Sequence, residues 1–99
     1  MLTITAIIRA NQGSEDAMRD ALLAVAAHVR SAEPGTVGFF VSQDAADPRV
    51  FTTHERFVDR AAMDLHNGSD ACRRFFEAAR PMLDGPVTLI TGRELSAKD

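Results

Sequence analysis

Positions 2–10, LTITAIIRA, alternate between two faces. Leu2, Ile4, Ala6, Ile8 and Ala10 fall on one, and Thr3, Thr5, Ile7 and Arg9 on the other. This period of two predicts a strand with one buried face. Ile7 adds an apolar side chain to the second face, which suggests that something covers that face too. After NQGSED the period changes. Ala17, Met18, Ala21, Leu22, Val25, Ala26 and Val29 recur at helical spacing. Ser14 is the expected N-cap, and Glu15 and Asp16 stand where the helix dipole favours acids. Pro34 and Gly35 end the helix. Residues 36–43 and 49–57 read as two strands joined by a short turn, and so as an antiparallel hairpin. In the first of these, Val37, Phe39 and Val41 share a face, with Phe40 and Ser42 opposite. In the second, Phe51, Thr53, Glu55 and Phe57 share a face, with Val50, Thr52, His54 and Arg56 opposite.

Asp59 caps a predicted short helix with Ala62, Leu65 and His66 toward its inner side, and Gly68 stops it. Ser69 caps the next helix, in which Phe75, Phe76, Ala79, Met82 and Leu83 recur, until Pro81 kinks it or ends its regular part. Residues 86–94 make a last strand, and residues 95–99 a polar tail that frays. The resulting order, βαββααβ, predicts an α+β ferredoxin-like plait: a four-stranded antiparallel sheet with helices on one face. The uncovered face would carry Ile7, Phe40, Val50 and Ile90. A second copy packed sheet to sheet on a two-fold axis would cover it, which predicts a homodimer.

Composition narrows the function classes. The chain has 99 residues, 45% hydrophobic and 25% charged, as expected of one globular domain over residues 1–99. The formal charge of −3 is spread without a basic stripe, so no nucleic-acid partner is expected. No apolar run reaches the roughly 18 residues of a membrane span, and the N-terminus lacks the basic region of a signal peptide. The single cysteine, Cys72, allows no internal disulfide. It reads as a small helix residue, and the expected location is cytoplasmic. No His-x-His or His-x-x-x-His spacing or glycine-rich phosphate loop is present, so neither a metal nor a nucleotide cofactor is expected.

The chemistry centres on Glu55. Alternation sends it to the helix side with Phe51 and Phe57, where a lone carboxylate is costly. His66, on the short helix that follows, is the best-placed partner. Such a pair in an apolar cleft has the character of a small-molecule site. On the residues alone, a tie between strand and helix is the reading to place first. His54 is expected on the dimer face, and His28 on the surface or at a rim.

The segments "GSED", "AEPGTVGF", "THERFVDRAAMDLHNGSDACRRF" and "PMLDGPV", in this order and spacing, resemble the antibiotic biosynthesis monooxygenase (ABM) family from about residue 2 to 94. The resemblance implies a dimeric α+β barrel. It also implies that Glu55 matches the glutamate of the family's Tyr-Glu-x-Trp stretch and His66 its helix-end histidine. His54 stands for that tyrosine, Phe57 for the tryptophan, and Ala71 for a second histidine. Ala6 and Phe57 disfavour the haem-degrading branch, and Ala71 weakens the isomerase branch. The implied activity is a cofactor-independent monooxygenase that oxidises a small aromatic or quinol-type molecule with O₂. His66, oriented by Glu55, would be the general base, and Leu22, Phe39, Phe51, Phe57 and Phe75 would hold the substrate. The alternative is a non-catalytic dimeric small-molecule-binding or accessory module of the same fold. A cavity of a few hundred Å³ would favour the enzyme, and a filled sheet–helix space the module.

Overall fold

The structure is a computed structural model and describes residues 1–98, so Asp99 of the expected tail lies outside the described residues. Four strands, β1 (Leu2–Arg9), β2 (Thr36–Gln43), β3 (Val50–Phe57) and β4 (Thr88–Arg93), form one antiparallel sheet in the order β2-β3-β1-β4. Three helices, α1 (Glu15–Ala32), α2 (Arg60–Asn67) and α3 (Asp70–Ala79), pack on one face of it. This is the α+β ferredoxin-like arrangement that the alternation predicts.

Ala6 and Ile8 of β1 meet Phe51 of β3 and the buried stripe Met18, Leu22, Val25 and Val29 of α1, and Ile4 of β1 meets Phe57 of β3. The apolar core falls into two parts. The larger gathers Ile8, Met18, Leu22, Phe51 and Phe75, among others. The smaller consists of Ile4, Phe57 and Met63. Along β3, Thr53 and Glu55 stand between Phe51 and Phe57, so the buried polar groups occupy the seam between the two parts.

Asp59 and Ser69 cap α2 and α3 as expected, accepting from the backbone N–H of Ala62 and Cys72. Ser14 takes the N-cap position of α1 without a side-chain cap bond. Pro81 ends the regular part of α3, and the chain tightens into a 3₁₀ turn over Arg80–Met82. That turn is stapled to the end of β1 by Asn11 N–H to the Met82 carbonyl and Asp84 N–H to the Arg9 carbonyl.

Two expected inner positions are less buried than alternation predicts. The β2–β3 register slips between Thr36 and Gly38, and Val37, at this bulge on the edge strand, is 44% exposed at the rim of a groove with Val29 and Phe39. On α2, Met63 and His66 face inward, three residues apart. Leu65 points away from that stripe and is 76% exposed.

On the open sheet face, Phe40, His54, Thr5 and Ile90 are successive cross-strand neighbours. His54 Nδ1 lies 3.3 Å from the Thr5 hydroxyl and its ring stacks beside Phe40. His54 therefore stands on the face opposite Glu55. Among the described residues no helix is long and apolar enough to cross a membrane.

Candidate active site

His66 is the hub of the buried polar seam. It occupies the last turn of α2 and is 3% exposed. Its Nε2 lies 3.1 Å from Glu55 Oε1 and 3.4 Å from Cys72 Sγ. Its Nδ1 lies 2.8 Å from Glu33 Oε1. The rings of Phe57 and Phe39 flank the imidazole at 5.3 and 5.6 Å between centroids. Each carboxylate has a further fixed partner. The Thr53 hydroxyl donates to Glu55 Oε2 at 2.7 Å, and the Thr36 hydroxyl donates to Glu33 Oε1 at 2.8 Å.

An imidazole with a carboxylate at each nitrogen donates from both and carries a positive charge. Burial works against that charge, but the hydrogen bonds to Cys72, Glu55 and Glu33 outweigh it and push the His66 pKa up to about 10. The two carboxylates are the groups we regard as decisive, because they approach at 2.8 and 3.1 Å from opposite sides of the ring.

Glu55 and His66 open onto a cavity that is otherwise apolar. Ile4, Ala6, Leu22, Val25, Phe39 and Phe75 form most of its wall, with Thr53 and Cys72 beside the pair. The exposed lining residues Asn67, Phe76 and Leu89 mark its mouth. Its volume is about 70 Å³, room for a few waters but below the ~150 Å³ that admits benzene.

The site thus brings together Glu55, His66, Phe39, Phe75 and Leu22. Phe51 and Phe57 lie outside the cavity wall, and at 1% and 0% exposure they belong to the packed core. Glu33 and Cys72 join the cluster without having been singled out as partners. One signal pointed to Glu33: it follows the last turn of α1, where the helix dipole disfavours an acid that has no cation to meet. Among the described residues, no group of three or more His, Cys, Asp and Glu side chains is disposed to hold a metal ion.

The family model for antibiotic biosynthesis monooxygenase matches residues 1–78. No curated protein matches the chain. Among solved structures, PA3566 from Pseudomonas aeruginosa is 29% identical, with a TM-score of 0.87 over 96% of this chain and 94% of its own. Rv0793 from Mycobacterium tuberculosis is 22% identical, with a TM-score of 0.90 over 99% and 98%. An antibiotic biosynthesis monooxygenase structure at 21% identity superposes with a TM-score of 0.88 over 97% and 100%. At 22% and 21% identity the last two speak for the fold alone. With the family model spanning most of its length, this chain belongs to the antibiotic biosynthesis monooxygenase family.

Proposed function

We propose that this protein is a monooxygenase that oxidises a small aromatic or quinol-type molecule with O₂ and without a bound cofactor. We place the acid–base work on the Glu55–His66 pair. The observation that carries this reading is the meeting of that pair at 3.1 Å in the wall of an otherwise apolar cavity. A hydroquinone that loses a hydroxyl proton becomes electron-rich enough to supply the electrons itself. One oxygen atom enters the ring, and the other leaves as water with two substrate hydrogens. A dry, apolar wall protects the anion on the way.

His66 is already protonated at neutral pH, so we assign the first acceptance of the hydroxyl proton to Glu55. The Thr53 hydroxyl and the His66 imidazolium hold its carboxylate in place. Phe39, Phe75 and Leu22 would contact the substrate. Entry requires the mouth at Phe76 and Leu89 to widen, because a quinol exceeds the present volume. As partner we propose a second copy of the chain, seated on the open sheet face.

A second reading, a binding or accessory module without turnover, is favoured by one observation, the 70 Å³ volume. Oxygen uptake against a panel of quinols and polyphenols, without added metal or flavin, separates the two. The expected result is uptake by the wild type that falls at least about 100-fold in Glu55→Gln and His66→Ala, in line with the loss of acid–base catalysis. Unchanged uptake in both variants, each folded by circular dichroism, would remove the pair from the mechanism. No uptake with any quinol would favour the module.

A further inference from the structure

The polar seam does not stop at His66. Glu33 Oε1 faces His66, and its other oxygen, Oε2, lies 3.1 Å from His28 Nε2. Oε2 is buried and makes no aligned hydrogen bond, so the His28 ring sits within reach but off axis. His28 is 35% exposed at its side chain and borders a separate groove of about 230 Å³ together with Thr36, Ala62 and Leu65. Asp70 and Arg74 of α3 border His28 from its other side. Four ionisable side chains therefore run in one line from cavity to surface, at successive separations of 3.1, 2.8 and 3.1 Å. The cavity mouth, marked by Asn67, Phe76 and Leu89, reaches β4, and the second groove lies beside Thr36 of β2. These strands are the two opposite edges of the sheet.

We propose that Glu55, His66, Glu33 and His28 form a proton relay that links the buried cavity to solvent at the sheet edge away from the substrate mouth. The functional role of the relay rests on the monooxygenase reading above. When a substrate O–H bond breaks and its proton settles on Glu55, the buried cluster gains one positive charge. His66 cancels it by releasing its Nδ1 proton to Glu33 Oε1. The Glu33 carboxyl turns and passes that proton to His28 Nε2, and His28 exchanges it with water. As the second oxygen atom leaves as water it takes the Glu55 proton, and the relay returns one proton to His66. The oxidation of a hydroquinone to a hydroxyquinone and water releases no net proton, so the relay lends a proton and recovers it. A bound substrate that fills the cavity would block any route past the mouth, and the second route avoids this.

The test reads the protein alone, by nitrogen-15 NMR of the His66 ring. Solvent exchange of the His66 Nδ1 proton should slow at least tenfold in His28→Gln, while the Nε2 proton on the Glu55 side keeps its wild-type rate. In His28→Ala, added imidazole should restore Nδ1 exchange. An unchanged Nδ1 rate in both variants overturns the relay. So does equal slowing of both ring protons, which marks a structural effect, or a failure of imidazole to rescue. Relay behaviour in a protein that shows no oxygen uptake would leave the relay standing and sink the monooxygenase reading.

Discussion

His66 is charged because two carboxylates reach it from different elements, one from the end of α1 and one from β3. That charge is a stability term with a definite sign. The folded pKa of about 10 lies above the reference value of 6.5, so the folded state binds this proton more tightly than the unfolded chain. The stabilisation is fully present below about 6.5 and is lost as pH rises through about 10. Urea midpoints measured from pH 6 to 11 should therefore fall across that window in the wild type. The slope should flatten in the double variant Glu33→Gln/His66→Gln, and an equal slope in both proteins would refute the assignment. The Glu55–His66 half of the cluster was legible in the sequence, because alternation fixed the face of Glu55 and the helix followed directly. Glu33 showed only as an acid misplaced at a helix end, since its partner depends on how the end of α1 docks against α2, a contact that no periodicity encodes. Without Glu33, His66 reads as a neutral base. With it, the imidazole is a cation. Cys72 was hidden for the same reason: its sulfur meets His66 only across the turn between α2 and α3.

The docking of α1 on α2 turns on one close approach. A Cβ at Gly35 would stand 2.7 Å from the Ala62 Cβ, nearer than two carbons tolerate. Gly35→Ala must therefore push α2 away from the α1–β2 turn, at a cost of about 1–3 kcal/mol as for other overpacked sites. The same movement lengthens the Glu33–His66 contact. The expected outcome is a lower urea midpoint together with a lower His66 pKa by NMR, both recovered by adding Ala62→Gly. A destabilisation that Ala62→Gly leaves untouched would place the strain elsewhere. The elements themselves were readable because their signals are local: Asp59 and Ser69 as caps, Pro81 as a stop, and alternation in β1 and β3. The two misread positions depend on context. Val37 sits at a bulge set by strand pairing on the edge strand β2 and is only partly covered. Leu65 loses the inner face because an eight-residue helix buries only the narrow stripe of Met63 and His66.

On the scale of the molecule, one sheet face carries helices and the other carries Ile7, Phe40 and Ile90 at 44%, 57% and 58% exposure. Phe40 lies in the row that crosses all four strands through His54 and Thr5. A charge at the β2 end of that row should break a dimer seated on that face. Phe40→Asp should sediment as a monomer where the wild type sediments as a dimer, with the circular dichroism spectrum unchanged. A wild type that is monomeric at high micromolar concentration would refute the proposed partner. The sheet order also has a consequence in time. The central strand β1 is made first, and its outer neighbour β4 is made last. During synthesis β1 keeps a bare edge until residues 88–93 emerge, with the aggregation risk that an unpaired strand brings. Every polar member of the relay, from His28 to His66, has been made by then, and so has Cys72. The nascent chain can gather its buried charges first, and only the final strand closes the wall around them.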